Sequence, residues 1–190
     1  MTTAIGKMLV LGGVRSGKSR YADQLARARA GAVTVIATGE ARDEEMAARI
    51  EAHRRQRDVR WRVIEEPVRL AATLHAVGTA EGLVIVDCLT LWLTNLMCGE
   101  DPDALRRESA QLLEILPRLG GDCVLVSNEV GFGIIPANAL ARRFADEAGA
   151  LHQRLAALCD QVILMAAGLP LILKAREQTR VDAASGEAAS

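Results

Sequence analysis

The stretch Gly12-Gly13-Val14-Arg15-Ser16-Gly17-Lys18-Ser19 fits the pattern G-x-x-x-x-G-K-[ST] at every position. An apolar run at residues 7–11 precedes it and predicts a strand, and an Ala- and Arg-rich segment at 18–29 follows it and predicts a helix. Glycines let backbone N–H groups turn towards phosphate oxygens, and the helix N-terminus adds partial positive charge. We therefore expect residues 12–19 to bind a triphosphate, with Lys18 at the outer phosphates and Ser19 on Mg²⁺.

A second acidic ligand is expected for that Mg²⁺, and Asp87 is well placed because it ends the apolar run 82–87. The alternative is that Asp87 caps the following helix. The loop by itself does not select a reaction, since kinases, GTPase switches and motor ATPases all carry one. A switch is disfavoured because Asp87 does not begin D-x-x-G and residues 127–130 read SNEV rather than N-K-x-D. A motor ATPase is disfavoured because no basic nucleic-acid track is visible.

Short apolar runs alternate with longer amphipathic ones along the whole chain. They predict strands at 7–11, 33–38, 61–65, 82–87, 123–127, 162–166 and 169–174, and helices at 18–29, 44–56, 67–77, 90–97, from 101 on, and 138–159. Continuous apolar strands between helices indicate an α/β fold with a mostly parallel sheet covered on both faces. A tight turn at Gly168 makes the last strand antiparallel. We predict one domain at 1–174 and a mobile tail at 175–190.

Composition excludes several classes of protein. The 190 residues carry a net charge of -1 and only 3% aromatic residues, so neither a basic nucleic-acid surface nor a base-stacking platform is expected. No apolar run is long enough to span a membrane, and no signal peptide is apparent, so we expect a cytoplasmic protein. The four cysteines form no C-x-x-C pair, and Cys123 and Cys159 are expected to be buried and reduced.

His53 has an unusual charge environment in the predicted helix 44–56. It lies at helical spacing from Met46 and Ile50, so we expect it at the edge of the buried face, and three arginines follow within four residues. Their charge disfavours an imidazolium, and a neutral imidazole facing an α-phosphate is able to form a covalent nucleotidyl intermediate. From the residues alone, a solvated basic helix end with an incidental histidine is the favoured alternative. His75 and His152 have no comparable cluster of arginines beside them and are interpreted as structural.

Five blocks of sequence occur in a distinctive order: GGVRSGKS, EMAARIEAHRRQR, WRVIEEP, IVDCLTLWLTNL and SNEVGFGIIPANALARRFADEAGALHQRLAALCDQVILMAAGLPLILK. Together they closely resemble the bifunctional adenosylcobinamide kinase/adenosylcobinamide-phosphate guanylyltransferase family of cobalamin synthesis. The resemblance covers about residues 8–174. Its phosphate loop is generic, whereas E-M-A-x-R-I-x-x-H-R and S-N-E-V-G-x-G-I-x-P are specific to the family.

The resemblance implies two reactions. ATP or GTP phosphorylates the aminopropanol hydroxyl of adenosylcobinamide, and GMP from GTP is then attached to that phosphate through a histidine–GMP phosphoramidate, releasing pyrophosphate. The matching histidine is His53, which reverses the preference for the incidental interpretation. Some relatives have a second histidine just before this position, where this chain has Ala52.

The same resemblance implies nucleotide contacts beyond the histidine. They fall on residues 12–19 of the loop and on Ala37, Thr38, Gly39, Arg54, Arg55, Gln56, Arg57, Glu65 and Asp87. We infer that Glu65 accepts hydrogen bonds from guanine N1–H and N2–H₂, the alternative being a surface acid at a strand end. Asn128 and Glu129 follow a strand, so they line the corrinoid or nucleotide cleft unless they only shape the loop.

The resemblance also implies a RecA-like phosphate-loop fold with one antiparallel strand, and a homotrimer. Exposed apolar surface on the predicted helix 90–97 is the expected trimer contact. Trp61 and Trp92 are interpreted as packing residues.

Overall fold

The computed structural model describes residues 5–29, 31–41, 43–78 and 82–175. Within them the strands are β1 Lys7–Gly12, β2 Val33–Ala37, β3 Arg62–Glu65, β4 Leu83–Asp87, β5 Asp122–Val126, β6 Gln161–Ala166 and β7 Leu169–Lys174. The helices are α1 Lys18–Arg27, α2 Glu44–Gln56, α3 Leu70–Val77, α4 Leu89–Cys98, α5 Ala104–Ile115 and α6 Ala139–Leu158, with a 3₁₀ turn at Leu116–Arg118. The predicted tail at 175–190 lies outside the described residues except for position 175.

The strands of the described chain form one sheet in the order β3-β2-β4-β5-β1-β6-β7. Neighbouring strands are parallel except β6 and β7, which are antiparallel across the turn at Gly168, as predicted. Ala37 is in register with both Glu65 and Asp87, and Asp87 with Val126. The carboxyl ends of β3, β2, β4 and β5 therefore lie side by side at one edge.

Helices cover both faces of the sheet because successive strand residues point to opposite sides. Leu9 and Ile36 belong to a core shared with α3, α4, α5 and α6. Val10 and Val35 belong to a second core shared with α1. Both faces of the central strands are thus removed from water, which is the arrangement that continuous apolar strands indicate, whereas the edge strands β3 and β7 are largely exposed.

Two helices begin later than predicted because nearby carboxylates bind backbone N–H groups outside the helix. The side chain of Glu66 accepts from the N–H groups of Val68 and Arg69 at 2.9 and 2.7 Å, so α3 begins at Leu70 rather than at 67. The Asp101 carboxylate accepts from the N–H of Asp103 at 2.9 Å, and α5 begins at Ala104. In both places a local turn competes with the helix for the same donors.

The prediction of an exposed apolar surface on α4 is wrong. Trp92, Leu93 and Leu96 are buried, because α4 packs between the sheet and its neighbouring helices. Exposed apolar side chains instead line the edge strand β7, where Leu169 and Ile172 are 71% and 63% exposed.

Three of the four cysteines are buried, namely Cys88, Cys123 and Cys159, whereas Cys98 at the end of α4 is exposed. Desolvation by burial raises the pKa of both Cys123 and Cys159 to about 12. These two thiols therefore carry almost no reactive thiolate at neutral pH. No helix among the described residues has both the length and the apolarity needed to cross a bilayer.

Candidate active site

The phosphate loop leaves the end of β1 and turns directly into α1. Gly12 has φ 150°, and a Cβ there would lie only 2.5 Å from the Met165 carbonyl oxygen. Gly17 has φ 100° at the N-cap of α1, a left-handed conformation that favours glycine. The two glycines are therefore required by the backbone path, which brings the N-terminus of α1 to the loop.

Two polar side-chain groups of the loop are buried at its centre. The Lys18 Nζ donates to the Gly13 carbonyl at 2.7 Å, and the lysine is only 7% exposed. The Ser16 Oγ is buried without a hydrogen-bond partner among the described residues. A charged amine and a buried unsatisfied hydroxyl both favour an anionic ligand at this point.

Ser19 and Asp87 bring two oxygen donors together beside the loop. The Ser19 Oγ lies 3.5 Å from the Asp87 Oδ1, and the Arg57 Nη2 lies 3.5 Å from the Asp87 Oδ2. The N-cap of α4 is Cys88, without a side-chain hydrogen bond, so Asp87 does not cap that helix. Hydroxyl and carboxylate oxygens are the ligands that Mg²⁺ prefers, with water and phosphate completing its shell.

A cavity of about 350 Å³ opens over the loop at the carboxyl edge of the sheet. Its wall brings together predicted residues that are distant in the chain. They are Arg15, Ser16, Gly17, Lys18, Ser19, Ala37, Gly39, His53, Arg54, Arg57, Glu65 and Asp87. His53 and Lys18 thus face one space, although 35 positions separate them in the sequence.

The apolar stripe of α2 faces this cavity rather than the protein core. Met46, Ile50 and His53 are all half-buried and all line it. The helix begins at a regular cap, because the Asp43 side chain accepts from the Met46 N–H at 2.7 Å. His53 therefore lies at the edge of the more buried face of α2, as expected, and that face covers the ligand space rather than the protein core.

The three arginines that follow His53 differ in where they point. Arg54 pairs with Glu65, and both line the cavity. Arg57 reaches Asp87, as described above. Arg55 is 77% exposed and pairs with Glu51 one turn earlier at 3.2 Å, away from the cavity wall. The side chain of Gln56 lies outside the part of the chain that the structure describes.

Thr38 lies behind the cavity wall and stabilises it. It is fully buried, and its Oγ1 donates to the Cys88 carbonyl at 2.6 Å and accepts from the Cys88 N–H at 3.0 Å. Its neighbours Ala37 and Gly39 line the cavity, whereas Gly12, Gly13 and Val14 do not. Thr38 therefore connects the end of β2 to the start of α4 rather than offering its hydroxyl to a ligand.

Asp23 was missed by sequence reasoning. It lies one helical turn after Ser19 on α1, and burial and the nearby Asp87 carboxylate raise its pKa, against the charges of Arg57 and Arg27. The i, i+4 spacing from Ser19 was the available signal. Asp23 therefore adds a carboxyl group to the electrostatics of the cleft.

Asn128 lies on the cavity wall, and a buried polar network holds it there. Its N–H donates to the Thr90 Oγ1 at 2.7 Å, and that oxygen lies 3.3 Å from the Ser127 Oγ. The Nε2 of His152 lies 2.8 Å from the same Ser127 Oγ. Burial lowers the pKa of His152, partly opposed by Glu129. His152 therefore has a structural role, as predicted, because it contacts the Ser127 side chain in the network that positions Asn128 at the cavity wall.

Comparison with known proteins identifies the family. A family profile described as "Cobinamide kinase / cobinamide phosphate guanyltransferase" matches residues 8–173. The "Bifunctional adenosylcobalamin biosynthesis protein CobP" of Pseudomonas aeruginosa is 52% identical over 166 residues, covering 87% of this chain and 96% of the relative. The "Bifunctional adenosylcobalamin biosynthesis protein CobU" of Escherichia coli is 39% identical over 180 residues, covering 88% of this chain and 99% of the relative.

Solved structures of low sequence identity share the fold. One described as an ATPase domain matches with a TM-score of 0.54 at 13% identity, covering 91% of this chain and 78% of that chain. The flagellar accessory protein FlaH from Methanocaldococcus jannaschii matches with a TM-score of 0.50 at 14% identity, covering 91% and 80%. At this identity they concern the fold alone, and they confirm the predicted RecA-like arrangement.

Proposed function

This chain belongs to the cobinamide kinase / cobinamide phosphate guanyltransferase family of adenosylcobalamin biosynthesis, and we propose that one cleft performs both of its reactions. The observation that carries this proposal is that the phosphate loop and His53 line the same cavity. The chain has a single G-x-x-x-x-G-K-S motif, so a second triphosphate site would need a different architecture.

In the kinase reaction, the aminopropanol hydroxyl of adenosylcobinamide attacks the γ-phosphorus of ATP or GTP. The bond from that phosphorus to the β-phosphate oxygen breaks, and the nucleoside diphosphate leaves. Lys18 balances the charge that develops on the phosphates, as its burial beside the loop supports. The hydroxyl proton passes to a carboxylate of the cleft or to water.

In the guanylyl reaction, an imidazole nitrogen of His53 attacks the α-phosphorus of GTP and pyrophosphate leaves. A phosphate oxygen of adenosylcobinamide phosphate then attacks the same phosphorus, the P–N bond breaks, and adenosyl-GDP-cobinamide forms. His53 is thereby restored. Arg54 and Arg57, which line the cavity with it, stabilise charge on the phosphate oxygens.

Ser19 and Asp87 are the residues that would hold Mg²⁺ with the nucleotide. Their two oxygens already lie within 3.5 Å of each other, which suits a small cation that keeps water and phosphate ligands. When bound, the ion neutralises phosphate charge during transfer.

The function is tested by supplying purified protein with GTP and adenosylcobinamide phosphate, and measuring pyrophosphate. We expect multiple turnovers that require the corrinoid phosphate, with adenosyl-GDP-cobinamide identified by mass spectrometry. A nucleotide sensor that controls a partner protein would bind GTP but release no such product. Failure of turnover with both substrates present contradicts the proposal.

Glu65 is proposed to select guanine through its carboxylate oxygens. Glu65→Gln replaces one acceptor by a donor that faces guanine N–H groups, so we expect the KM for GTP in guanylyl transfer to rise about tenfold or more. The kinase reaction with ATP should change little. Steady-state kinetics with both nucleotides measure the difference.

Glu51→Gln is the matched control for Glu65→Gln. Glu51 also approaches Arg54, at 3.8 Å, but it lies on the outer side of α2 and not on the cavity wall. If Glu51→Gln raises the KM for GTP as much as Glu65→Gln does, the effect runs through Arg54 and not through guanine.

A homotrimer and a cytoplasmic location remain part of the proposal. Self-association is supported by the edge strand β7, whose unpaired backbone and exposed apolar side chains suit burial against another copy. Sedimentation velocity finding a monomer would contradict it. The use of nucleoside triphosphates supports the cytoplasm.

A further inference from the structure

A second cavity, of about 550 Å³, opens between the C-terminal half of α4, the start of α6 and the segment that joins β5 to α6. Its wall is mostly apolar, with polar groups from threonine and asparagine. The lining residues that matter here are Thr94, Met97, Cys98, Val130, Leu140 and Phe144. Phe132, Ile134 and Ile135 lie in the same connecting segment and are 81%, 97% and 80% exposed.

This second cavity shares a wall with the nucleotide cleft. On α4, Leu91 lines the cleft whereas Thr90 and Thr94 line the second cavity. After β5, Asn128 lines the cleft whereas Val130 lines the second cavity. A hydrogen bond of 2.7 Å from the Asn128 N–H to the Thr90 Oγ1 joins the two segments that form this shared wall. A ligand in the second cavity would therefore lie next to the nucleotide cleft.

We propose that the second cavity docks the corrin ring of the acceptor, an inference that rests on the proposed function. The acceptor must place a hydroxyl, and later a phosphate, in the nucleotide cleft while its much larger ring stays outside. A corrin presents broad apolar faces and an edge of carboxamides. Apolar walls with a few hydrogen-bonding groups, extended by an exposed apolar rim, suit such a ligand.

The polar groups of the wall match the carboxamide edge. The Asn138 side-chain oxygen caps α6 by accepting from the N–H groups of Leu140 and Ala141, which directs its amide nitrogen away from the helix as a donor. The Thr94 Oγ1 donates to the Thr90 carbonyl, so its lone pairs accept from an amide N–H. A second copy of the chain is a weaker occupant, because β7 already offers a longer apolar edge for self-association.

Cys98 makes the inference directly testable, because it lines the second cavity and is exposed while the other thiols are buried. We expect iodoacetamide to alkylate Cys98 selectively, and adenosylcobinamide to slow that reaction at least about fivefold when it is saturating. GTP alone should not slow it. Mass spectrometry measures alkylation, and visible absorbance measures bound corrinoid in the same samples, with and without a non-hydrolysable GTP analogue.

Each outcome of the alkylation experiment has a defined meaning. Corrinoid that binds and is turned over without protecting Cys98 overturns the docking site and leaves the proposed function intact. Absence of both binding and turnover removes the proposed function as well. Alkylation of the free protein that accelerates on dilution shows a second copy over the cavity, and also overturns the inference.

A pair of substitutions on α6 provides an independent kinetic test. The first is Leu140→Asp. Leu140 is 53% exposed in the first turn of α6, where an acidic side chain stabilises a helix. We expect the KM for adenosylcobinamide to rise about tenfold or more, with kcat and the Kd for GTP unchanged. The control Leu158→Asp lies about 27 Å away along the same helix. Equal effects of the two substitutions would contradict docking at the second cavity.

Discussion

His53→Ala is expected to abolish guanylyl transfer while leaving the kinase reaction active. Without the imidazole, no nitrogen is available to take GMP from GTP, so transfer should fall by at least about 10³-fold. The kinase reaction needs only the phosphate loop, the metal ligands and the hydroxyl acceptor. Incubation with GTP labelled in the α-phosphate should leave acid-labile, base-stable label on the unaltered protein and none on the variant.

His75→Ala is the matched control, because His75 is an exposed histidine on α3 that does not line the cleft. It should retain label and both activities. GTP labelled in the γ-phosphate separates guanylylation from phosphorylation, since only the α-label should remain on His53. If His53→Ala keeps the α-label and its guanylyl transfer is unchanged, His53 is not the nucleophile.

Lys18→Ala is expected to stop both reactions, by about 10²–10³-fold each. The lysine is buried beside the loop, and among the described residues no other lysine lines the cleft, so its removal leaves phosphate charge less compensated. Binding of GTP, measured by calorimetry, should weaken as well. Lys18→Arg is the control that keeps the charge but not the shape of the ammonium group, and it should recover little activity.

The two reactions of Lys18→Ala are assayed separately, with adenosylcobinamide phosphate supplied for the second. Loss of the kinase alone, with guanylyl transfer unchanged, would show that the reactions use different triphosphate sites. A thermal melt matched to that of the unaltered protein confirms that the comparison concerns the site and not the fold.

Local sequence was sufficient for the phosphate loop. The glycines at 12 and 17 and the lysine and serine that follow act within a few residues of one another, so their conformation depends on near neighbours. The alternation of apolar strands and helices likewise predicted the sheet and its final antiparallel strand. Helix starts were less predictable, because Glu66 and Asp101 bind backbone N–H groups that a helix cap would otherwise use.

The face of α2 could not be read from periodicity. Met46, Ile50 and His53 form a stripe that looks like a core face, yet the stripe covers the nucleotide cleft. Periodicity reports which side of a helix avoids water, and a ligand cavity satisfies that requirement as well as a core does. The exposure of α4 was misjudged for a related reason, since burial depends on which elements pack against a helix.

The sequence by itself determined the loop and the strands, because these depend on residue type and on contacts between near neighbours. The choice of His53 as the nucleophile rests on the family resemblance and stays a prediction. Only the tertiary structure decided that His53, Glu65 and Asp87 meet the loop. That meeting depends on strand order, in which β5 is inserted between β1 and β4, and on the common register at the carboxyl edge. Strand order follows from burying both faces of the sheet at once, which no local pattern of residues encodes.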